Sequence, residues 1–464
     1  MVDIFPDNEA EEALMKYVSI ILVAAAAISG CATYRKQPLD MKAEWPKALS
    51  RLEVDPSKMP LPELSSHKFD PEDGLDMTEV AMIAVANNPE LKLARDDAGI
   101  ASAQAFAAGL LPDPQIGFSP QYPQTGIPGE NVTAFDLGIS YNLGAIVTHS
   151  LRSASAKADL RKADLALLWQ EWQVVGQARL LFARICSRQN LLGILKRSRD
   201  LAGLRYAREK AGLDEHDLTL DAVTADENAL QAIDRQISDT DRAIEKDRYA
   251  LNKLLGLAPD TRLYLAGSAE IPALDKRETA RRLSELARIR PDLLALQAGY
   301  EAQDMRLRQA ILSQFPAIGF GLVRARDNTG INYNGFSLSL NLPIFNRNRG
   351  SIAIEKATRK RMHDEFQIRL NQASSDVRQI LTDQDLLEDQ LRRLDEAVAA
   401  LSLLSRRAEA AYKAGDMDLA AYSNLKHAAL AKEAEQIAVE ESMLEERIGL
   451  LALIGGQLPV KESK

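Results

Sequence analysis

The chain has 464 residues, 57 basic against 66 acidic, and a net charge of -9. That balance argues against a nucleic-acid footprint, which needs a clustered basic face. With only two cysteines, Cys31 and Cys186, and no Cys-x-x-Cys, it also excludes a disulfide framework.

The first element is an apolar run from Tyr17 to Ser29, about 13 residues and too short to cross a bilayer as a helix. It follows Met15-Lys16 and ends in Ile28-Ser29-Gly30-Cys31. This is a signal-peptide pattern, and its end resembles the lipobox of bacterial lipoproteins, where the cysteine thiol takes a diacylglyceryl group. Cys31 is the candidate lipidation site; the alternative is a short buried apolar segment with an incidental cysteine. Residues 1–14 carry Asp3, Asp7, Glu9, Glu11 and Glu12 and no Lys or Arg, which points to Met15 as the start of translation. Ala32, not Asp, follows the cysteine and favours the outer over the inner membrane. We therefore expect a signal peptide over 1–30 and a lipidated arm over 31–75. Its prolines (Pro38, Pro46, Pro56, Pro60, Pro62, Pro71) bar a long helix and predict an extended chain.

From Asp76 the chain states one order twice. The first copy, 76–255, predicts a helix to about Gly109 with a break at Pro89, a strand pair over 114–143, a helix from Thr148 to Ala211, a turn at Gly212 and a helix over 218–255. A connector with Gly256, Pro259, Gly267 and Pro272 fills 256–276. The second copy, 277–454, predicts a helix over 277–314, strands over 316–343, a helix over 350–413, a turn at Gly415 and a helix over 419–454; a tail follows over 455–464. Asn88-Pro89-Glu90-Leu91 is echoed by Arg290-Pro291-Asp292-Leu293, and Lys210-Ala211-Gly212 by Lys413-Ala414-Gly415. The offset of about 200 residues is too long for a small solenoid unit. The fold class is thus mainly α with a small β part, a duplicated helix–strand–strand–helix module.

The helices after each turn carry a seven-residue stripe: Val223, Leu230, Ile237, Ile244 and Leu251, then Leu430, Ile437, Leu444 and Leu451. The helix before the second turn has two seam rows, interrupted at Gln384 and Ser405. A sustained 3.5-residue period predicts antiparallel coiled-coil hairpins. In the strands, Phe135, Leu137, Ile139 and Tyr141 alternate with Asp136, Gly138, Ser140 and Asn142, and Phe336, Leu338 and Leu340 with Ser337, Ser339 and Asn341. One apolar and one small or polar face fits an outer-membrane barrel wall, and equally any half-buried sheet. In the first reading Leu137, Ile139, Leu338 and Leu340 meet lipid, and Ser140, Asn142, Ser337 and Ser339 face the lumen. Four strands cannot close a barrel, and an open edge in hydrocarbon leaves unpaired backbone groups costing several kcal/mol each. Membrane strands here would require two or three chains sharing one barrel.

No catalytic constellation is present. The histidines, His67, His149, His216, His363 and His427, lack ligand spacing, and there is no phosphate-binding Gly-rich loop. We expect no enzyme, no metal site and no cofactor beyond the lipid on Cys31. Cys186 reads as a packing residue.

Over nearly its whole mature length the chain resembles the TolC-like outer-membrane efflux proteins. The resemblance rests on the duplicated order, the lipobox, the stretch Leu342-Pro343-Ile344-Phe345-Asn346-Arg347-Asn348-Arg349-Gly350 and the Tyr412-x-x-Gly415 tip. The wording of that stretch is nearest the CzcC-like heavy-metal branch; copy one, with Asn142-Leu143-Gly144-Ala145, lacks it. The resemblance implies a homotrimer with a shared twelve-stranded barrel in the bacterial outer membrane and a helical tunnel through the periplasm. It implies passive conduction, with a periplasmic adaptor and an inner-membrane pump as partners. On that frame the turns form the periplasmic mouth. Asp217 and Asp418 read as helix N-caps; Asp416 and Asp418 would also form an acidic constriction, tied by Arg406, Arg407 and Tyr412. Gly212, Leu213, Gly415, Met417 and Leu419 are the candidate adaptor contacts. Exit ducts for drug efflux or type I secretion are alternative readings. A lipid-anchored coiled-coil scaffold is the competitor from another class, and tandem hairpins with paired strands argue against it.

Overall fold

The computed structural model describes residues 34–42, 45–46, 54–122, 124, 132–267, 269, 271 and 275–454. Cys31, the signal segment, most of the loop from Gln124 to Gly129 and the tail over 455–464 lie outside or largely outside these. Two units divide the chain at Trp45 and Pro46. In the first, residues 34–42 are exposed and without regular secondary structure. The second holds all the named elements.

The arm expected over 31–75 is not extended throughout. A 3-10 turn at Pro56–Lys58 and helix α1 (Pro62–Ser66) each place a proline in the first turn, where the missing N–H costs nothing. Leu61 and Leu64 are buried in the main core, and Glu63 pairs with the buried Arg179 at 2.8 Å.

Helix α2 (Met77–Asn87) opens on a capping box. Asp76 accepts from the Thr78 and Glu79 N–H groups, and Glu79 reaches back to the Asp76 N–H. It is apolar all round, so it lies inside: Val80 through Ala84 are fully buried. Helix α3 (Pro89–Gly109) follows the predicted break, and strands β1 (Gln115–Gln121) and β2 (Ala134–Asn142) come next. Helix α4 (Leu143–Asp214) starts five residues before the predicted Thr148, because the Asn142 side chain caps it by accepting from the Ala145 N–H. Its 72 residues span about 108 Å at 1.5 Å each. Helix α5 is Leu220–Leu254.

In copy two the helix expected over 277–314 is split into α6 (Lys276–Ile289) and α7 (Pro291–Leu312). Pro291 breaks it as Pro89 breaks copy one. Strands β3 (Ala317–Arg326) and β4 (Asn332–Asn341), then helices α8 (Arg349–Ala414) and α9 (Leu419–Ile454), complete the chain.

Helix α4 is central, packed against α2, α3, α5, α7 and α9. The predicted stripes point inward: Val223, Ile244 and Leu251 on α5 and Leu430, Leu444 and Leu451 on α9 are buried. Gln384 and Ser405, the expected seam interruptions, are buried too. Two clusters make the core. One joins α2 to α4 between Val174 and Ile185 and to the end of α5; the other joins Leu286 and Leu293 to Ala373, Val377, Leu450 and Ile454. Each copy thus locks its helix break against the end of its own returning helix, and the copy-one cluster also takes in Leu444, Ile448 and Leu451 of α9.

Candidate functional site

The four strands form one antiparallel sheet in the order β1-β2-β3-β4. Its register sorts the side chains into two faces. Ile116 pairs with Ile139, Ile139 with Leu322, and Leu322 with Phe336; Phe320 lies between Tyr141 and Leu338, and Ile318 opposite Leu340. These rungs make one continuous apolar face across both copies, and its Ile116, Phe336 and Leu338 are 75%, 75% and 60% exposed. Burying such a surface in oil rather than water is the driving force the sheet leaves unspent.

The opposite face is made of small and polar residues. Ser140 and Ser337 flank Gly321, and Asn142 and Ser339 flank Gly319. A Cβ on Gly319 would fall within 2.3 Å of Ser339 Oγ, and one on Gly321 within 2.5 Å of Ser337 Oγ. Those glycines let this side curl tightly. Leu137, Ile139, Leu338 and Leu340 therefore stand on one face and Ser140, Asn142, Ser337 and Ser339 on the other. Among the described residues no further strand pairs with the outer edges of β1 and β4.

At the opposite reach of the long helices lie the two tips. At the second, Gly415 is left-handed with φ 84°. Its N–H donates to Tyr412 O at 3.1 Å, and the Asp416 N–H donates to Ala411 O at 2.9 Å. This pair of bonds closes a helix C-terminus and suits glycine. Asp418 caps α9: the Ala421 N–H donates to its Oδ1 at 2.7 Å. Tyr412 stacks on Tyr422 with centroids 5.0 Å apart, joining α8 to α9. Glu409, hydrogen-bonded to Lys413 and facing Lys426, is held below the usual carboxylate range.

The first tip departs from its predicted form. Gly212 is not the turn; it lies inside α4, and the left-handed residue is His216 with φ 66°. The same bonds recur four residues on: the His216 N–H donates to Leu213 O at 3.0 Å and the Asp217 N–H to Gly212 O at 2.8 Å. Gly212 instead makes room for Leu218, whose Cδ1 lies 3.0 Å from where a Cβ would sit. Asp217 is not an N-cap. Helix α5 begins after Thr219, which makes no side-chain cap bond.

Of the other candidates, Arg406, Arg407, Gly415, Asp416 and Asp418 are exposed; Leu213, Tyr412, Met417 and Leu419 are half-buried. Arg406 and Arg407 make no ion pair among the described residues, so within one chain they tie no helices together. The sequence reading missed Leu218 and Leu220, the more exposed apolar residues of the first tip, at 40% and 67%.

It also missed the polar cluster behind that tip. Arg205 pairs with Glu209 at 3.1 Å and with Asp226 of α5 at 2.7 Å, and donates to Asn424 Oδ1 of α9 at 2.7 Å. One guanidinium thus ties three helices. Burial and a hydrogen bond shared with Asp226 push the Glu209 carboxyl up, against the pull of Arg205. His427, half-buried on α9 and facing Arg205, is pushed down by burial and accepts or donates one bond with Ser198 at 2.9 Å. Only the Arg205–Glu209 spacing was visible beforehand; the partners on α5 and α9 come from helix register. Cys186 is half-buried, and burial pushes its thiol to about 11. Among the described residues no helix is long and apolar enough to cross a membrane, and no group of three or more His, Cys, Asp or Glu could hold a metal ion.

The fold is that of known outer-membrane channels. CusC aligns with a TM-score of 0.66 at 17% identity, covering 86% of this chain and 98% of that one. The CmeC channel of Campylobacter jejuni aligns with a TM-score of 0.68 at 14% identity, covering 93% and 96%. The open-state MtrE channel of Neisseria gonorrhoeae gives 0.60 at 17%, covering 92% and 98%. No curated protein sequence matches the chain. In sequence, residues 283–456, from the middle of α6 through α9, match the family described as outer membrane efflux protein.

Proposed function

We propose that this chain is one subunit of an outer-membrane efflux duct. The observation that carries the reading is the sheet: one face apolar across four strands, the other glycine- and serine-rich, with both edges open. Backbone edges cannot stay unpaired in hydrocarbon, so the sheet joins copies of itself into a closed barrel. Three copies, giving twelve strands, agree with the resemblance in sequence. The apolar face meets lipid and the small face lines a wet lumen. The α4–α5 and α8–α9 hairpins continue the conduit into the periplasm, their tips meeting an adaptor coupled to an inner-membrane pump. The subunit supplies a path and no energy. Lipid on Cys31 adds a second anchor, each buried methylene contributing about 0.8 kcal/mol. Asp416 and Asp418, repeated around the mouth, favour cations, and the Leu342–Gly350 wording supports heavy-metal cations as the cargo.

The test is a pair of substitutions one residue apart. A charge on a lipid face near the midplane costs about 2–4 kcal/mol, whereas a lumen charge stays wet. Leu338→Arg should abolish the heat-modifiable oligomer on gels, and Ser339→Arg should leave it. Equal loss in both, or the reverse order, would reject the assignment of faces.

A further inference from the structure

The apolar face of the sheet does not stay apolar to its end. Arg324 and Arg326 follow Ile318, Phe320 and Leu322 on the same face of β3, by the alternation of the strand. The register sets Arg324 between Leu137 and Asn334, and Arg326 between Phe135 and Asn332. The rung before them is Ile139, Leu322 and Phe336. So on β3 and β4 the row passes from Leu322 and Phe336 to Arg324 and Asn334, then to Arg326 and Asn332, while Leu137 and Phe135 keep the β2 side apolar. The change falls at the hairpin end, away from the helices, beside the Asp327–Ile331 turn.

Three observations give this patch a ligand rather than a solvated rim. Neither arginine has an ion-pair partner among the described residues, and Arg326 Nε is buried without an acceptor. Strand β3 is hydrogen-bonded on both sides, to β2 and β4. A copy joining at β1 or β4 therefore leaves this face of β3 uncovered. The equivalent row in copy one runs Ile116, Phe118, Pro120 and Tyr122, so the positive charge belongs to one strand and not to the architecture. Two arginines two positions apart stand about 6.6 Å apart along the strand, close enough to grip one phosphate or two neighbouring ones. Their planar forks match phosphate oxygens pairwise, and the asparagine amides add donors beside them.

Resting on the reading that the apolar face meets lipid, we propose that Arg324 and Arg326, with Asn332 and Asn334, bind the phosphate of an outer-leaflet glycolipid. The acyl chains would lie along Leu322, Phe336 and Leu338. One such patch per subunit would fix the depth of the barrel in the membrane.

The experiment uses the full-length oligomer purified in mild detergent, titrated with diphosphoryl lipid A and with enzymatically dephosphorylated lipid A, binding being read by native mass spectrometry. Each preparation is also assayed for conductance in planar bilayers. The parent should bind the phosphorylated form on the order of tenfold more tightly, as charge-assisted paired bonds imply. Arg324→Ser with Arg326→Ser should lose that preference. The charge-matched control, Lys356→Ser with Arg361→Ser on the exposed face of α8, should keep it. A conducting parent that binds both lipids alike overturns the proposal and leaves the channel reading standing. So does a double variant that keeps the parent's preference. A parent that neither inserts nor conducts overturns the channel reading and this proposal with it. The contrast between the two lipids on the parent needs no variant, so misfolding of the double variant cannot hide the answer.

Discussion

The two copies share an order of elements and solve its local problems with different residues. At the helix break, copy one buries Asn88, whose amide donates to Leu254 O at 2.9 Å and whose oxygen caps Leu91. Copy two buries Arg290, paired bidentately with Asp292 at 2.7 and 2.8 Å and lying 4.6 Å over the Trp169 ring. At the tip, copy two uses a left-handed glycine, an aspartate cap and a tyrosine stack; copy one uses a left-handed histidine and a charged cluster. Backbone geometry is what duplication kept. The side chains that satisfy it have been free to diverge, so the copies should differ in which change breaks them.

The largest difference is expected at the breaks. Arg290→Met leaves the Asp292 carboxylate buried with the Leu293 N–H at 2.9 Å and, among the described residues, one remaining cation, Arg369 at 3.8 Å. Removing one partner of a buried pair costs about 3–5 kcal/mol. Asn88→Ala loses a cap and one buried bond, about 1–2 kcal/mol. Urea unfolding of the purified protein should rank them in that order; a reversal would mean the Arg290 pair is better solvated than its burial implies.

A smaller contrast separates the tips. Gly415→Ala forces a Cβ into a left-handed residue at a cost of about 1–2 kcal/mol. His216→Gly removes that same strain and should stabilise its tip by up to about 1 kcal/mol, less the chain entropy glycine loses. Hydrogen exchange of the tip amides should speed up in the first variant and slow in the second. Changes of one sign in both would contradict the shared geometry.

The smallest effect is a pH dependence of opposite sign at the two tips. The Glu209 carboxyl is raised in the folded chain, by burial first and then by Asp226. A raised carboxyl contributes stability below its unfolded pKa and loses it as pH rises through the folded value. The Glu209 carboxyl should therefore make the first tip tighter under mild acid than at neutral pH, while His427, pushed down by burial and then by Arg205, contributes in the opposite direction; Arg205 and Asp226 are the other charged neighbours. The Glu409 carboxyl at the second tip is lowered, so that tip should loosen as pH falls through its folded value. Glu209→Gln should abolish the first trend and spare the second. Identical pH profiles for both tips would disprove the asymmetry.

These differences also mark what the sequence disclosed. Period-two strands and period-seven stripes were legible because each residue's face follows from its own number along the element. The predicted boundaries of α8 and α9 match for the same reason. The first tip was misplaced because Lys210-Ala211-Gly212 repeats the letters of Lys413-Ala414-Gly415, while the end of α4 is set by Leu218 packing onto Gly212. The Arg205 cluster, the bridge from Arg179 to Glu63 and the alignment of Arg324 with Leu137 depend on register between distant segments. No local pattern encodes that register. Arg324 and Arg326 were present in the strand sequence, yet their meaning needed the two neighbouring strands.

The most direct test of the central claim is single-channel recording of the purified oligomer in planar bilayers. Asp418→Asn keeps a side-chain acceptor for the Ala421 N–H, so with Asp416→Ala it removes charge from the second tip while leaving the cap. The account predicts stepwise, cation-preferring conductance in the parent and a weaker cation preference in the double variant. A bilayer that stays silent with the parent oligomer would contradict the channel itself, and equal selectivity in parent and variant would leave the two aspartates as a cap and a surface charge.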